Sequence, residues 1–203
     1  LLFASVGIRT PHRYIPLTYS WSNMLVAFDF DQTISVVHLY HLMRKDETTE
    51  LDSYSNEFLK KDVFGGEARL KLLTEHFHHL IANGATLCII SFGFTLVIIE
   101  ALRRVNLIDF FSRQFILGID SPLMQEVRGY KDVALVAVMK HLGIDDATSV
   151  IFVDDDVRNV EAVEANIPSC YTLLIQPPVG MTSDHLREIE DRAATRRAQI
   201  QPH

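Results

Sequence analysis

The sequence predicts a three-layer α/β fold, a parallel sheet covered on both faces by helices. Three observations carry this expectation. Five short apolar runs are too uniformly hydrophobic for strands with one wet face, so they read as strands buried on both sides. Segments with helical apolar spacing separate them, the alternation of a parallel sheet. Glycine, proline and polar clusters punctuate the boundaries, as at Phe64-Gly65-Gly66 and Asn83-Gly84.

Residues 1–23 hold Pro11, Pro16 and the aromatics Tyr14, Tyr19 and Trp21, and are expected to form an extended arm lying on the domain. Residues 24–203 are expected to form a single domain. M-L-V-A-F-D-F from Met24 is the first strand, and two short helices follow over 35–45 and 53–62, joined by the polar run K-D-E-T-T-E. Residues 34–66 thus form a small insert near the end of the first strand. Leu70, Leu73, Phe77, Leu80 and Ile81 give 67–83 helical spacing, closed by Asn83-Gly84 as a left-handed cap. A-T-L-C-I-I-S is the second strand, with a helix at about 94–105, and R-Q-F-I-L-G is a shorter third. K-D-V-A-L-V-A-V-M-K-H-L-G is an amphipathic helix ending at Gly143. S-V-I-F-V-D-D-D is the fourth strand, a helix covers 157–165, and S-C-Y-T-L-L-I is the fifth. Thr182 or Ser183 caps a last charged helix over 183–198. Its apolar stripe is thin, so it reads as a solvated helix before a partner site.

The bulk numbers exclude several classes. The chain has 203 residues, 48% hydrophobic and 22% charged, which suits one domain with a real core and argues against disorder. A net charge of −7 is wrong for a general nucleic-acid binder, which needs a basic face. No apolar run approaches the length of a membrane span. Cys88 and Cys170 lie inside apolar runs without metal-type spacing and read as buried thiols of a reducing compartment. A cytoplasmic location is the expectation, with a cleaved upstream targeting segment left open because the sequence begins Leu-Leu.

In open α/β sheets ligands bind beyond the carboxyl ends of the strands. The first strand ends Asp29-Phe30-Asp31-Gln32-Thr33, the second ends at Ser91, and the fourth ends Asp154-Asp155-Asp156. Lys131 opens the helix between the third and fourth strands. Singly, each is a common turn or cap residue. Together they put several acids, a hydroxyl and an ammonium on one crevice. That set suits phosphoryl transfer. A hard divalent cation with oxygen ligands, most simply Mg²⁺, would relieve the repulsion among Asp29, Asp31 and Asp155. One carboxylate can attack phosphorus while its neighbour moves the proton, and Ser91 and Lys131 can hold the phosphoryl oxygens.

These residues resemble the haloacid dehalogenase superfamily of aspartate-nucleophile phosphatases. D29-F-D-Q-T33, Ser91 after C-I-I, Lys131 in G-Y-K-D and V-D154-D155-D-V-R-N159 fall in the family's order over residues 24 to about 175. The resemblance implies a Mg²⁺-dependent phosphomonoester hydrolase, with Asp29 as nucleophile and Asp31 as general acid/base. It implies Mg²⁺ held by Asp29, the Asp31 main-chain carbonyl and Asp155, with Thr33, Asp154 and Asn159 as supporting groups. Asp31 favours phosphatase over dehalogenase, since dehalogenases protonate no alcohol. The intervals between motifs are too short for a large cap, and the fourth-motif stretch is similar to the magnesium-dependent phosphatase family, a capless branch. A capless or minimally capped enzyme is the expectation. Its substrate would be a phosphorylated small molecule or a phosphoprotein. A phosphotransferase and a non-catalytic phosphate-binding or regulatory domain are the alternatives. A protein phosphatase whose arm and final helix dock a partner is another.

Other residues have plainer readings. His38 and His41, three apart, read as exposed polar side chains, with the lining of a substrate entrance or a metal site as the alternatives. His76, His78 and His79 read as solvated. Phe92 and Phe94 read equally as loop packing or as an apolar wall near the phosphate, and Arg128 as a surface residue, with binding of a second anionic group near Lys131 as its alternative.

Overall fold

The computed structural model describes residues 24–46 and 51–200, so the expected arm at 1–23 and residues 47–50 of the expected polar linker lie outside the described residues. Five parallel strands form one sheet: β1 Met24–Phe28, β2 Ala85–Ile90, β3 Ile116–Leu117, β4 Val150–Asp154 and β5 Tyr171–Leu174, in the spatial order β3-β2-β1-β4-β5. β1 is central, with Phe28 opposite Ile89 on one side and Val153 on the other. The chain steps from β1 to β2 on one side and later crosses to β4 on the other. The strand order therefore reverses at the carboxyl ends of β1 and β4, where such sheets open a crevice.

The alternation of side chains divides each strand between two cores. Val26 and Phe28, Leu87 and Ile89, and Ile151 and Val153 enter one core. Leu25 and Ala27, Cys88 and Ile90, and Val150 and Phe152 enter the other. The first core is covered by α3 Glu67–Ala82, α4 Thr95–Arg104 and α8 Ser183–Ile200. The second is covered by α5 Pro122–Glu126, α6 Lys131–Leu142 and α7 Val157–Asn166. This is the three-layer fold the sequence predicts.

Several elements differ from expectation. α1 spans Leu39–Lys45 rather than starting at 35, because residues 30–37 are held in a turn. Ser35 donates through its amide and its hydroxyl to the Phe30 carbonyl, and the Asp31 carboxylate accepts the Leu39 amide at 2.9 Å, capping α1 from outside its own turn. The second insert helix is reduced to α2 Asn56–Phe58, capped by Ser55 and running into a wide turn over Leu59–Val63. α5 was not expected, although Ser121-Pro122 is a cap followed by proline at the first helical position. β3 is only two residues long.

Two solvated readings are corrected. His76 is buried on α3, where its Nδ1 lies 2.6 Å from the Glu190 carboxylate of α8, while His78 and His79 are exposed. The thin stripe of α8 is a docking face: Leu186, Ile189 and Ala193 are buried in the first core. Three small contacts per two turns suffice because the helix lies over an already apolar α3.

Candidate active site

Asp29 continues β1 in extended conformation and its amide donates to the Val153 carbonyl of β4 at 2.7 Å, so the carboxylate is carried by the two central strands. After it the chain turns sharply, with Gln32 in the left-handed region at φ 55° and Asp31 extended. Asp29, Asp31, Ser91, Lys131, Asp154, Asp155 and Asn159 all line one cleft of about 680 Å³ at the carboxyl edge of the sheet. Every expected site residue except Thr33 therefore faces the same space.

Lys131, at the first position of α6, is the electrostatic centre. Its Nζ donates to Asp29 Oδ1 at 2.6 Å and to Asp154 Oδ2 at 2.7 Å, with all three side chains essentially buried. The two carboxylates hold its pKa well above the usual lysine value against the opposing cost of burial. Phe92 stacks over the ammonium, with its centroid 4.8 Å away. Asp154 is fully enclosed: its second oxygen accepts the Asp156 amide at 2.9 Å and Asn159 Nδ2 at 3.0 Å. Asn159, on α7, thus fixes Asp154, which fixes Lys131, which fixes Asp29.

The acids outnumber the cations. Burial, with Asp154 and Asp31 adding repulsion, pushes the Asp29 carboxyl up to about 7 despite the neighbouring ammonium. Half-buried Asp155 is also raised, by burial first and then by Asp154. A site with this surplus of negative charge calls for a proton or an added cation. The donor set fits a hard cation: two carboxylates, Asp29 and Asp155, with a main-chain carbonyl at Asp31, all oxygen. Among the described residues no three acidic, histidine or cysteine side chains converge as a metal group. The fit therefore depends on the carbonyl as third protein ligand.

Ser91 is buried where β2 ends. Its hydroxyl oxygen accepts the Gly93 amide at 3.2 Å, which leaves the hydroxyl proton to donate into the cleft. Thr33 supports the turn through its main chain: its carbonyl accepts the Met181 amide at 2.9 Å and Arg69 Nη2 at 3.2 Å, while its buried hydroxyl has no partner among the described residues.

Sequence reasoning missed Arg69. This largely buried guanidinium from α3 also donates to the carbonyls of Ile34, Phe64 and Met181 and binds the post-Asp31 turn to the 175–181 loop. Gly180 belongs to that junction. At φ +64° it sits where a Cβ would lie 2.6 Å from Arg69 Nη2 and 2.7 Å from the Ser35 carbonyl. His38 and His41 line the cleft, their rings 4.7 Å apart, and His38 Nδ1 is 3.6 Å from Asp31 Oδ2. The Asp31 carboxylate raises the His38 pKa above its ordinary value. Of the two aromatics after Ser91, Phe92 faces the cleft and Phe94 lines an adjoining cavity. Arg128 is exposed and outside both. Cys88 is buried and Cys170 half-buried, and both are free thiols raised by burial, Cys170 to about 12.

No family model matches this sequence, and no curated protein matches it significantly. Solved structures do match in fold. The chain aligns with the HAD domain of effector protein Lem4 from Legionella pneumophila at a TM-score of 0.56 and 16% identity, over 85% of this chain and 96% of that one. It aligns with an uncharacterised protein from Corynebacterium glutamicum at a TM-score of 0.51 and 11% identity, over the same shares of each. Among the described residues no helix is long and apolar enough to cross a membrane. With the parallel 3-2-1-4-5 sheet and acids at the ends of β1 and β4, these alignments give the chain the haloacid dehalogenase (HAD) fold.

Proposed function

We propose that the protein is a Mg²⁺-dependent phosphomonoester hydrolase working through an aspartyl-phosphate at Asp29. The observation that carries this reading is the buried Asp29–Lys131–Asp154 chain, at a cleft also lined by Asp31, Ser91 and Asp155. Lys131 holds Asp29 Oδ1, which leaves Oδ2 to attack phosphorus in line with the departing alcohol. As that P–O bond breaks, protonated Asp31 gives its proton to the leaving oxygen. Asp31 then takes a proton from the water that cleaves the aspartyl-phosphate, freeing phosphate and restoring Asp29. The Asp31 carboxylate is held for this by the Leu39 amide and by His38. Ser91 and Lys131 hold the equatorial phosphoryl oxygens, where charge compensation does most of the catalysis. Asp29, Asp155 and the Asp31 carbonyl would hold Mg²⁺, which when bound offsets the charge of the acids and of the incoming phosphate.

This reading treats residues 24–203 as one domain, with 34–66 as a small insert beside the cleft and little or no cap, acting in a reducing compartment. Hydrolysis of an aryl phosphate with and without Mg²⁺, compared between wild type and Asp29→Asn, tests it. Metal-dependent turnover that the substitution abolishes is expected, and undiminished turnover by Asp29→Asn would remove the nucleophile from the account. A domain that only binds phosphate would show no turnover in either protein.

A further inference from the structure

A second cavity, of about 310 Å³, adjoins the acidic cleft, and the two share Asp31 and Tyr40 as a common wall. Its remaining lining is almost wholly apolar. Phe30 and Ile98 are each 1% exposed and form the inner surface with Leu39 and Met43. Val97 and Phe94 complete it from α4 and the loop before it. Tyr40 and Phe94 meet edge to face at 5.7 Å, and both are substantially exposed. Among the described residues Arg44 is the one basic side chain of the lining. In volume the cavity sits at the lower end of small-molecule sites, about 300–1,000 Å³.

Resting on the phosphatase reading, we infer that this cavity receives the alcohol portion of the substrate, and that the substrate is a small monoester of an apolar, aromatic or branched, alcohol. The placement follows from Asp31. If Asp31 protonates the leaving oxygen, that oxygen lies at the wall the two spaces share. The carbon bonded to it then continues away from Asp29, into the apolar side. The same lining selects against polyols. Sugar hydroxyls entering this space would find Asp31 and Arg44 and little else, and each stranded hydroxyl would lower kcat/KM by roughly tenfold or more. An aromatic ring exchanges water for the faces of Phe30, Ile98 and Met43, a gain of roughly 10- to 100-fold over a methyl group.

Benzyl phosphate and methyl phosphate test this directly, because their alcohols are of near-equal acidity and the chemical step is matched. With Mg²⁺ present, kcat/KM for the benzyl ester should exceed that for the methyl ester and for a hexose 6-phosphate by roughly 10- to 100-fold. Benzylphosphonate should outcompete methylphosphonate in binding by a similar ratio. Val97→Phe, which fills the cavity, and Met43→Gln, which makes it polar, should each shrink the benzyl-to-methyl ratio, with folding confirmed by urea unfolding. Equal rates for benzyl and methyl esters would overturn the inference and leave the phosphatase reading standing. Selective benzylphosphonate binding without turnover of any ester would support the cavity and overturn the phosphatase reading. Neither turnover nor selective binding would overturn both.

Discussion

Replacing Lys131 by methionine tests the electrostatic core of the site, and its effect can be worked from the structure. The side chains of Lys131, Asp29 and Asp154 are 2%, 5% and 0% exposed, so solvent screens almost none of the lost attraction. Methionine fills much of the same volume, so packing changes little. What remains is a pair of buried carboxylates stripped of their shared cation. Removing one member of a buried ion-paired group costs about 3–5 kcal/mol, a large share of the roughly 5–15 kcal/mol that holds a domain folded. The cost depends on pH with a definite sign. Asp29 already sits near 7 in the wild type against an ordinary value of 3.8, so the native state takes up a proton there more readily than the unfolded chain. Its contribution to stability therefore falls as pH rises from about 4 through 7. Without Lys131 the Asp29 carboxyl moves further up, so the deficit relative to wild type grows as pH rises past about 7, where the wild-type carboxylate has ionised and the variant's has not. Urea unfolding at about pH 5 and pH 8 should show the variant less stable at both, by a few kcal/mol at the higher pH and by about 1 kcal/mol less than that at the lower. Mg²⁺ should return part of the loss at the higher pH. A deficit under about 1 kcal/mol at pH 8, or one equal at both values, would refute the buried-charge argument.

Other consequences can be read from single residues. The His38 ring, followed by NMR titration, should have a pKa above the ordinary histidine value of 6.5 in wild type, and Asp31→Asn should bring it down. His76 runs the other way: burial lowers its pKa, so the unfolded chain binds the extra proton and stability is lost as pH falls below about 6.5. His76→Phe should flatten that dependence in thermal melts between about pH 7.5 and 5.5. Gly180→Ala should destabilise the fold by at least about 1–2 kcal/mol, from the left-handed backbone alone. It should also lower kcat/KM, because its Cβ pushes on Arg69 and the Ser35 carbonyl beside the turn after Asp31.

The fold was legible where burial is two-sided. β1, β2 and β4 are buried on both faces, and their sequences are near-continuous apolar runs of strand length. The acids and Lys131 were legible as a set because each stands at a strand end or a helix start, and a parallel sheet brings those points to one edge. What escaped reading depends on contacts distant in sequence. The late start of α1 follows from the Asp31 carboxylate eight residues before Leu39, a bond that helical periodicity does not encode. The burial of His76 depends on Glu190, 114 residues away, and Arg69 reaches the Met181 carbonyl across 112. Arg69 lies in a helix with good apolar spacing, so nothing local distinguishes it from the exposed Arg103 of α4 or Arg187 of α8. The apolar cavity is assembled from the β1 turn, α1 and α4, and its trace in the sequence was Phe94, close after Ser91.

Phosphorylation of Asp29 itself can be caught by covalent trapping. Asp31→Asn keeps the nucleophile while removing the base that activates water, so an intermediate should accumulate. Rapid acid quench of that variant with Mg²⁺ and p-nitrophenyl phosphate, whose phenolate leaves without a proton, followed by peptide mass spectrometry, should place a hydroxylamine-sensitive phosphoryl group on Asp29. A phosphoryl group on any other residue, or wild-type turnover with no trappable adduct in the variant and its activity unchanged, would contradict the account.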